Sequence, residues 1–293
     1  MFHVHHIDSL DLPELAPYQT MKRSAAHETQ GIFVAESEKV VRRLLASHYG
    51  VVSVMLPAER LAEFEPLLRS RPEKEIPVYV VTNKSLLREL VGFDLFQGVL
   101  AIGKIPAPVA LESILAISPH PRLFAAVDEL CNAENIGAFV RNCTAFGVQA
   151  LIVGETCSSP FLRRSVRNSM GTIFQLPVFE VNQQRSPLAD ATQPRRRDEA
   201  RLTLVQTLHD LRAHGVRSIA AHPRADSKLL SEADLAGDCC LIFGSEGHGI
   251  SPAVLAACDE AVAIPMANGV DSLNVGAAAA AFFYEAQRQR MRS

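Results

Sequence analysis

The stretch Ile264-Pro265-Met266-Ala267-Asn268-Gly269-Val270-Asp271-Ser272-Leu273-Asn274-Val275-Gly276 decides how this chain is read. An apolar segment ends at a proline, turns through Asn-Gly and runs into an alanine-rich stretch. Asn-Gly marks a turn, and a small polar residue ahead of such a stretch marks a helix start. Ser272 is therefore expected to cap a helix reaching about Arg290, ~28 Å long at 1.5 Å per residue. Asp271, Ser272 and Asn274 crowd the strand-to-helix junction, where backbone N–H groups lack intrahelical acceptors and face outward. An ordinary capped turn explains this segment equally well on its own. The small residues of Gly276–Ala281 permit close backbone approach by whatever packs there.

Upstream stands Leu241-Ile242-Phe243-Gly244-Ser245-Glu246-Gly247-His248-Gly249-Ile250-Ser251. An apolar strand runs into three glycines that let the backbone turn sharply and approach a ligand. A phosphate-binding P-loop would need lysine where Ile250 stands, and the Gly-x-Gly-x-x-Gly dinucleotide order is absent. A nucleotide-dependent oxidoreductase is disfavoured on the same ground.

A third segment runs from Asp128-Glu129-Leu130-Cys131-Asn132-Ala133-Glu134-Asn135 through Ile136-Gly137-Ala138-Phe139-Val140-Arg141-Asn142-Cys143 to Gly147, following the apolar strand Leu123–Val127. Asn135 reads as the cap of a helix that Gly147 ends, with Phe139, Cys143 and Phe146 on the buried side. Together the three segments resemble the three motifs of the SpoU family of S-adenosylmethionine-dependent RNA ribose methyltransferases, within the SPOUT superfamily. The resemblance spans roughly residues 122–293. Asn132-Ala133 stands where the family usually has Asp-Pro, Ser245 where it has Asn, and Gly276 where it has Ser.

The resemblance implies an α/β trefoil-knot domain with a parallel sheet, preceded by a small α/β RNA-binding domain. It implies that Arg141, Asn135, Glu246, Ser272 and Asn274 serve catalysis, and that Gly244, Ile264, Leu273, Met266 and His222 hold the methyl donor. Ser169-Met170-Gly171 resembles the family's loop near the reacting ribose, and Ser169 with Arg163, Arg164 and Arg167 ahead of it is expected to contact RNA. The substrate class is ribosomal or transfer RNA, and a homodimer is expected through the last helix (Ala280, Phe283, Tyr284).

The donor carries an activated methyl on a cationic sulfur, so neither a metal nor a covalent enzyme intermediate is required. Aligning the two reactants supplies up to roughly 7–11 kcal/mol of barrier lowering. By the resemblance Arg141 contacts the target nucleotide and assists its deprotonation. Arginine's very high pKa makes it a poor base. Its sounder role is to hold the adjacent phosphate and stabilise developing oxyanion charge. Asn135, Ser272 and Asn274 are expected to orient Arg141 and the loops, and Glu246 to fasten the loops through backbone N–H groups. A non-catalytic RNA-binding or ribosome-assembly protein that keeps the fold is the alternative, supported by Asn132-Ala133 and Gly276.

Composition limits the partners. The chain has 293 residues, 48% hydrophobic, and a net charge of −3, so RNA contact must come from local patches. No run of ~18 apolar residues suggests a membrane span, and Met1–Leu10 is unlike a secretory signal. Six cysteines without a Cys-x-x-Cys pair read as reduced core residues of a cytoplasmic protein. His3, His5 and His6 read as a frayed terminus, and no metal is assigned.

Prolines 106, 108, 119 and 121 mark residues 106–121 as a linker between residues 1–105 and a domain over 122–293. The first part reads as strands Gly31–Val34, Val51–Leu56, Val78–Val81 and Gly98–Ile102 with helices Glu36–Ala46 and Lys84–Leu90. The second reads as near-continuous apolar strands alternating with helices, the pattern of a parallel sheet covered on both faces. The polar, proline-broken stretch of residues 182–201 is expected to be a surface insertion, with Arg195, Arg196 and Arg197 either solvated or on RNA phosphates.

Overall fold

The computed structural model describes residues 1–21, 24–83, 86–87, 90, 98–181, 203–222 and 228–291. The chain forms two compact units, one of Met1–Ala107 with Pro160–Gln175 and one of Pro108–Ser159 with Leu176–Ser293. The insertion at residues 182–201 lies outside the described residues, as does most of the helix expected over Lys84–Leu90.

Among the described residues the first unit carries strands β1 (Phe2–Ile7), β2 (Ile32–Glu36), β3 (Val51–Pro57), β4 (Ile76–Val81) and β5 (Leu100–Lys104), in the order β1-β4-β3-β5-β2. β1, β4 and β3 run parallel, and β5 runs antiparallel to both β3 and β2. Helix α1 (Glu38–Leu45) buries Val40, Val41, Leu44 and Leu45, and α2 (Leu61–Arg69) buries Phe64 and Leu68. The histidines near the start are not frayed: His3, His5 and His6 pair in register with Pro77, Tyr79 and Val80 of β4. Polar side chains are usual on such an edge strand, because they discourage further pairing.

The second unit opens with α3 (Leu111–Ile117), so the expected linker holds a helix. Leu111, Ile114 and Leu115 recur at spacings of three and four and are buried in this unit's core. The four prolines bracket the helix rather than interrupt it. Along the chain follow β6 (Leu123–Val127), α4 (Ala133–Ala145) and β7 (Ala150–Val153). Helix α5 (Arg163–Asn168) belongs to the first unit. Then come β8 (Val178–Glu180), α6 (Leu204–Ala213), β9 (Arg217–Ala221), β10 (Cys239–Phe243), α7 (Pro252–Ala257), β11 (Glu260–Val262) and α8 (Val275–Arg290).

The described strands of the second unit form one sheet, β11-β9-β10-β6-β7-β8, parallel at every pairing. Central strands β6 and β10 are buried throughout, which is why their sequences are unbroken apolar runs. Phe124 and Ile242 face a core shared with α3, α6 and α7. Side chains alternate across the sheet, so Phe243 points the other way. There it meets Phe139 of α4 and Phe282 and Phe283 of α8, with ring centroids 5.1–5.6 Å apart. Phe283 is thus covered within the chain, and the apolar face expected to need a partner reduces to Tyr284, 58% exposed.

The end of α8 is fastened by one side chain. Arg290 donates to the carbonyls of Pro121, Arg122, Leu235 and Gly237 at 2.7–3.0 Å.

Residues 160–175, expected within the second domain, pack in the first unit. Phe161 and Phe174 supply the anchors, with centroids 5.9 and 5.5 Å from Phe33. The cysteines are all free thiols: Cys143, Cys239 and Cys240 are buried, whereas Cys131 is exposed rather than in the core.

Candidate functional site

A cleft of about 680 Å³ opens in the second unit. Gly244, Ile264, Leu273, Met266 and His222, the five positions expected to hold a donor, all line it, together with Glu246 and Ser272. Strand ends explain the convergence. β9, β10 and β11 are parallel neighbours, so the loops following them emerge at one edge of the sheet.

The loop after β10 is tightly folded. Ser245 and Gly249 exchange two backbone hydrogen bonds of 2.9 Å, and the His248 amide donates to Ser245 Oγ at 3.2 Å. Gly244 is required here, since a Cβ would lie 2.0 Å from the Gly249 carbonyl carbon. Buried Asp128 secures the loop's far end by accepting from the Ser251 amide at 2.8 Å.

Asn274 joins three segments. Its Nδ2 donates to Glu246 Oε1 at 2.5 Å and to Asn135 Oδ1 at 3.2 Å, while its Oδ1 accepts from the Gly276 amide at 2.9 Å. Asn274 is therefore the cap of α8, and Ser272 stands in the exposed loop before it. An Ncap needs extended backbone two or three residues ahead of the amide it accepts from, and Asn274 meets that condition. The first-motif helix shows a similar offset. Asn132 caps α4 by accepting from the Glu134 and Asn135 amides at 2.8 and 3.1 Å, so Asn135 lies inside the first turn. Glu246 reaches a side-chain amide rather than the backbone N–H groups expected.

Arg141 lies six residues beyond Asn135 on α4, about 9 Å along the axis and some 120° around it. It is exposed, does not line the cleft, and forms no side-chain hydrogen bond or ion pair among the described residues. The expected arginine patch is different in kind. Arg163 and Arg167 both pair with buried Glu36, at 3.0 and 3.3 Å, within the first unit. Ser169 is buried, with its hydroxyl donating to the Val166 carbonyl at 2.8 Å. Of the four RNA candidates, Arg164 is the exposed one.

Asn142, not singled out from the sequence, donates to the Gly276 carbonyl at 2.6 Å. Its position next to Arg141 was the available signal. Val270 and Asp271 also line the cleft. No group of three or more His, Cys, Asp or Glu side chains suited to a metal occurs among the described residues.

A parallel α/β unit whose loops after β9, β10 and β11 meet at one cleft defines the class. The model of the SpoU rRNA Methylase family matches residues 122–197 and 199–284, and the chain belongs to that family. Rv0881 of Mycobacterium tuberculosis, described as an uncharacterized tRNA/rRNA methyltransferase, is 31% identical over 88% of this chain and 82% of its own. The 23S rRNA (guanosine-2'-O-)-methyltransferase RlmB of Shewanella oneidensis is 30% identical over 72% of this chain and 78% of its own. The solved structure of an AdoMet-bound rRNA methyltransferase from Sinorhizobium meliloti shares the fold at TM-score 0.77 and 20% identity, covering 97% of this chain and 98% of that one. AviRb from Streptomyces viridochromogenes, solved in complex with AdoMet, does so at 0.76 and 24%, covering 96% and 100%.

Proposed function

We propose that this protein transfers a methyl group from S-adenosylmethionine to a ribose 2'-hydroxyl of RNA, with structured ribosomal RNA as the substrate. The observation that carries the reading is the cleft, where all five donor candidates meet beside the Asn274 junction with Glu246 and Asn135. Its volume suits a nucleoside-sized ligand. Its charged lining consists of Glu246 and Asp271, with no lysine or arginine among the described lining residues, which favours a ligand bearing positive charge. The RlmB relative is named for ribose methylation of 23S rRNA.

S-adenosylmethionine, when bound, supplies the activated methyl. The backbone of Gly244, Ile264 and Leu273 holds its adenosine part, while Met266 and His222 close the sides. Asn274 keeps the Glu246 loop and α4 in one arrangement, so the two reactants meet aligned; alignment is worth up to roughly 7–11 kcal/mol. Arg141, unpartnered among the described residues, takes the phosphate beside the target ribose and stabilises negative charge developing on the attacking oxygen, whose proton leaves with the help of that phosphate. Ser272, exposed at the cleft, hydrogen-bonds the incoming nucleotide. The first unit reads the RNA, Arg164 contributes to that contact, the second unit is knotted, and two copies pair in the cytoplasm.

Calorimetric titration with S-adenosylmethionine and with NAD tests the class of ligand. Micromolar binding of the first and none of the second is expected. Ribose-methylation mapping in a deletion strain against its parent then identifies the nucleotide; unchanged ribosomal and transfer RNA would overturn the reading.

A further inference from the structure

Arg141 and Asn142 are neighbours on α4 with opposite fates. Arg141 is exposed and unpartnered among the described residues, whereas half-buried Asn142 bonds the Gly276 carbonyl at 2.6 Å. Gly276 is the second residue of α8, and its amide is the one that Asn274 caps. A single glycine is thus gripped by Asn142 at its oxygen and by Asn274 at its nitrogen.

Asn135, Ala138 and Asn142 stand three and four residues apart, which places them in one stripe along α4. Asn135 meets Asn274, while Ala138 and Asn142 meet Gly276. A Cβ at position 276 would lie 3.5 Å from Ala138 Cβ, an ordinary contact, and 3.1 Å from Asn274 Oδ1, so the first turn of α8 already packs at contact distance on this stripe. A carbonyl in a helix's first turn already accepts from the amide four residues on. Asn142 occupies the oxygen's second lone pair, so its bond aligns two helices rather than satisfying a stranded carbonyl.

We infer that Asn142 is a positioning residue that sets the register of α4 on the first turn of α8 and thereby holds Arg141 in place relative to the cleft. This rests on the methyl-transfer reading, in which Arg141 touches the target nucleotide. Asn142 itself does not line the cleft and touches no donor-binding position, although Val275 and Ala278 on the first turn of α8 do line it. A displacement of about 1 Å at a positioned group is enough to cost ~100-fold in rate.

The test uses the full chain, labelled S-adenosylmethionine, and total ribosomal RNA from a strain lacking the gene. Asn142→Ala is expected to slow single-turnover transfer about 10- to 100-fold while donor Kd stays within about twofold. A rate for Asn142→Ala close to wild type, or a loss of rate matched by an equal loss of donor affinity, overturns the proposal. A second readout is independent of activity. In a Cys131→Ser background, spin labels at Arg141→Cys and Ala277→Cys should give a narrow distance distribution that broadens on Asn142→Ala. An unchanged distribution overturns the positioning role. If the wild type transfers no methyl to any RNA yet the distribution broadens, the functional reading fails while the positioning role stands.

Discussion

The side-chain amide of Asn274 lies 2.5 Å from the carboxylate of Glu246, bonding the loop after β10 to the start of α8. A neutral donor on a carboxylate in a loop junction is a charge-assisted bond, stronger than a neutral pair. Asn274→Asp should therefore do more damage than Asn274→Ala. It keeps the α8 cap but sets two carboxylates against each other, and donor affinity is expected to fall at least tenfold, read by calorimetry.

Arg141→Ala is expected to abolish transfer while leaving donor Kd within a few-fold. The guanidinium is exposed and stands apart from the cleft lining. Near-normal turnover in the variant removes Arg141 from the reaction.

Arg290→Ala should destabilise the second unit by about 2–3 kcal/mol, since hydrogen bonds to a charged group are worth ~1.5–3 kcal/mol each and the freed carbonyls partly regain water. Urea denaturation measures this. Arg290→Lys should recover little, because one ammonium cannot reproduce the planar fork that reaches four carbonyls.

Stability of the first unit should fall in acid through Glu73. Burial pushes this carboxyl up, but bonds from Arg71, the Val51 amide and its own amide, with Arg71's charge, bring it down to about 2 from an ordinary 4.5. A depressed folded-state pKa means the contribution is complete above pH 4.5 and is lost as pH falls toward 2. Glu73→Gln should lower stability at pH 7 and flatten that part of the profile in acid denaturation.

A truncated chain beginning near Ile105 should aggregate rather than fold cleanly. It retains Phe161 and Phe174 but loses Phe33 and Tyr49, their ring partners. Replacing Phe161 and Phe174 by serine in the truncated chain should restore solubility, and light scattering reads the difference.

The apolar run Leu123–Val127 was legible from the sequence to the residue and agrees with the structure at both ends. Helix starts were not. Ser272 and Asn274 are equally good cap types, as are Asn132 and Asn135, and the choice depends on where the backbone leaves the extended region. Strand β1 was missed because its alternation, Phe2-His3-Val4-His5, is short and breaks at His6, with four of its six residues exposed on a sheet edge. The cleft-lining positions Ile264, Met266 and Leu273 came from the resemblance to the family motifs, because apolar residues in a loop carry no signal of their own. The ion pairing of Arg163 and Arg167 was not legible. Their counter-charge, Glu36, is 127 residues from Arg163, and nothing local announces a buried carboxylate.

Pro160–Gln175 belongs to one unit while the residues on either side of it belong to the other. The polypeptide therefore passes between the units three times, and a single proteolytic nick leaves them covalently joined. Recombination at one point in the gene cannot exchange the first unit for another without stranding this segment. Exchange of the first unit requires Met1–Ala107 and Pro160–Gln175 to be replaced together.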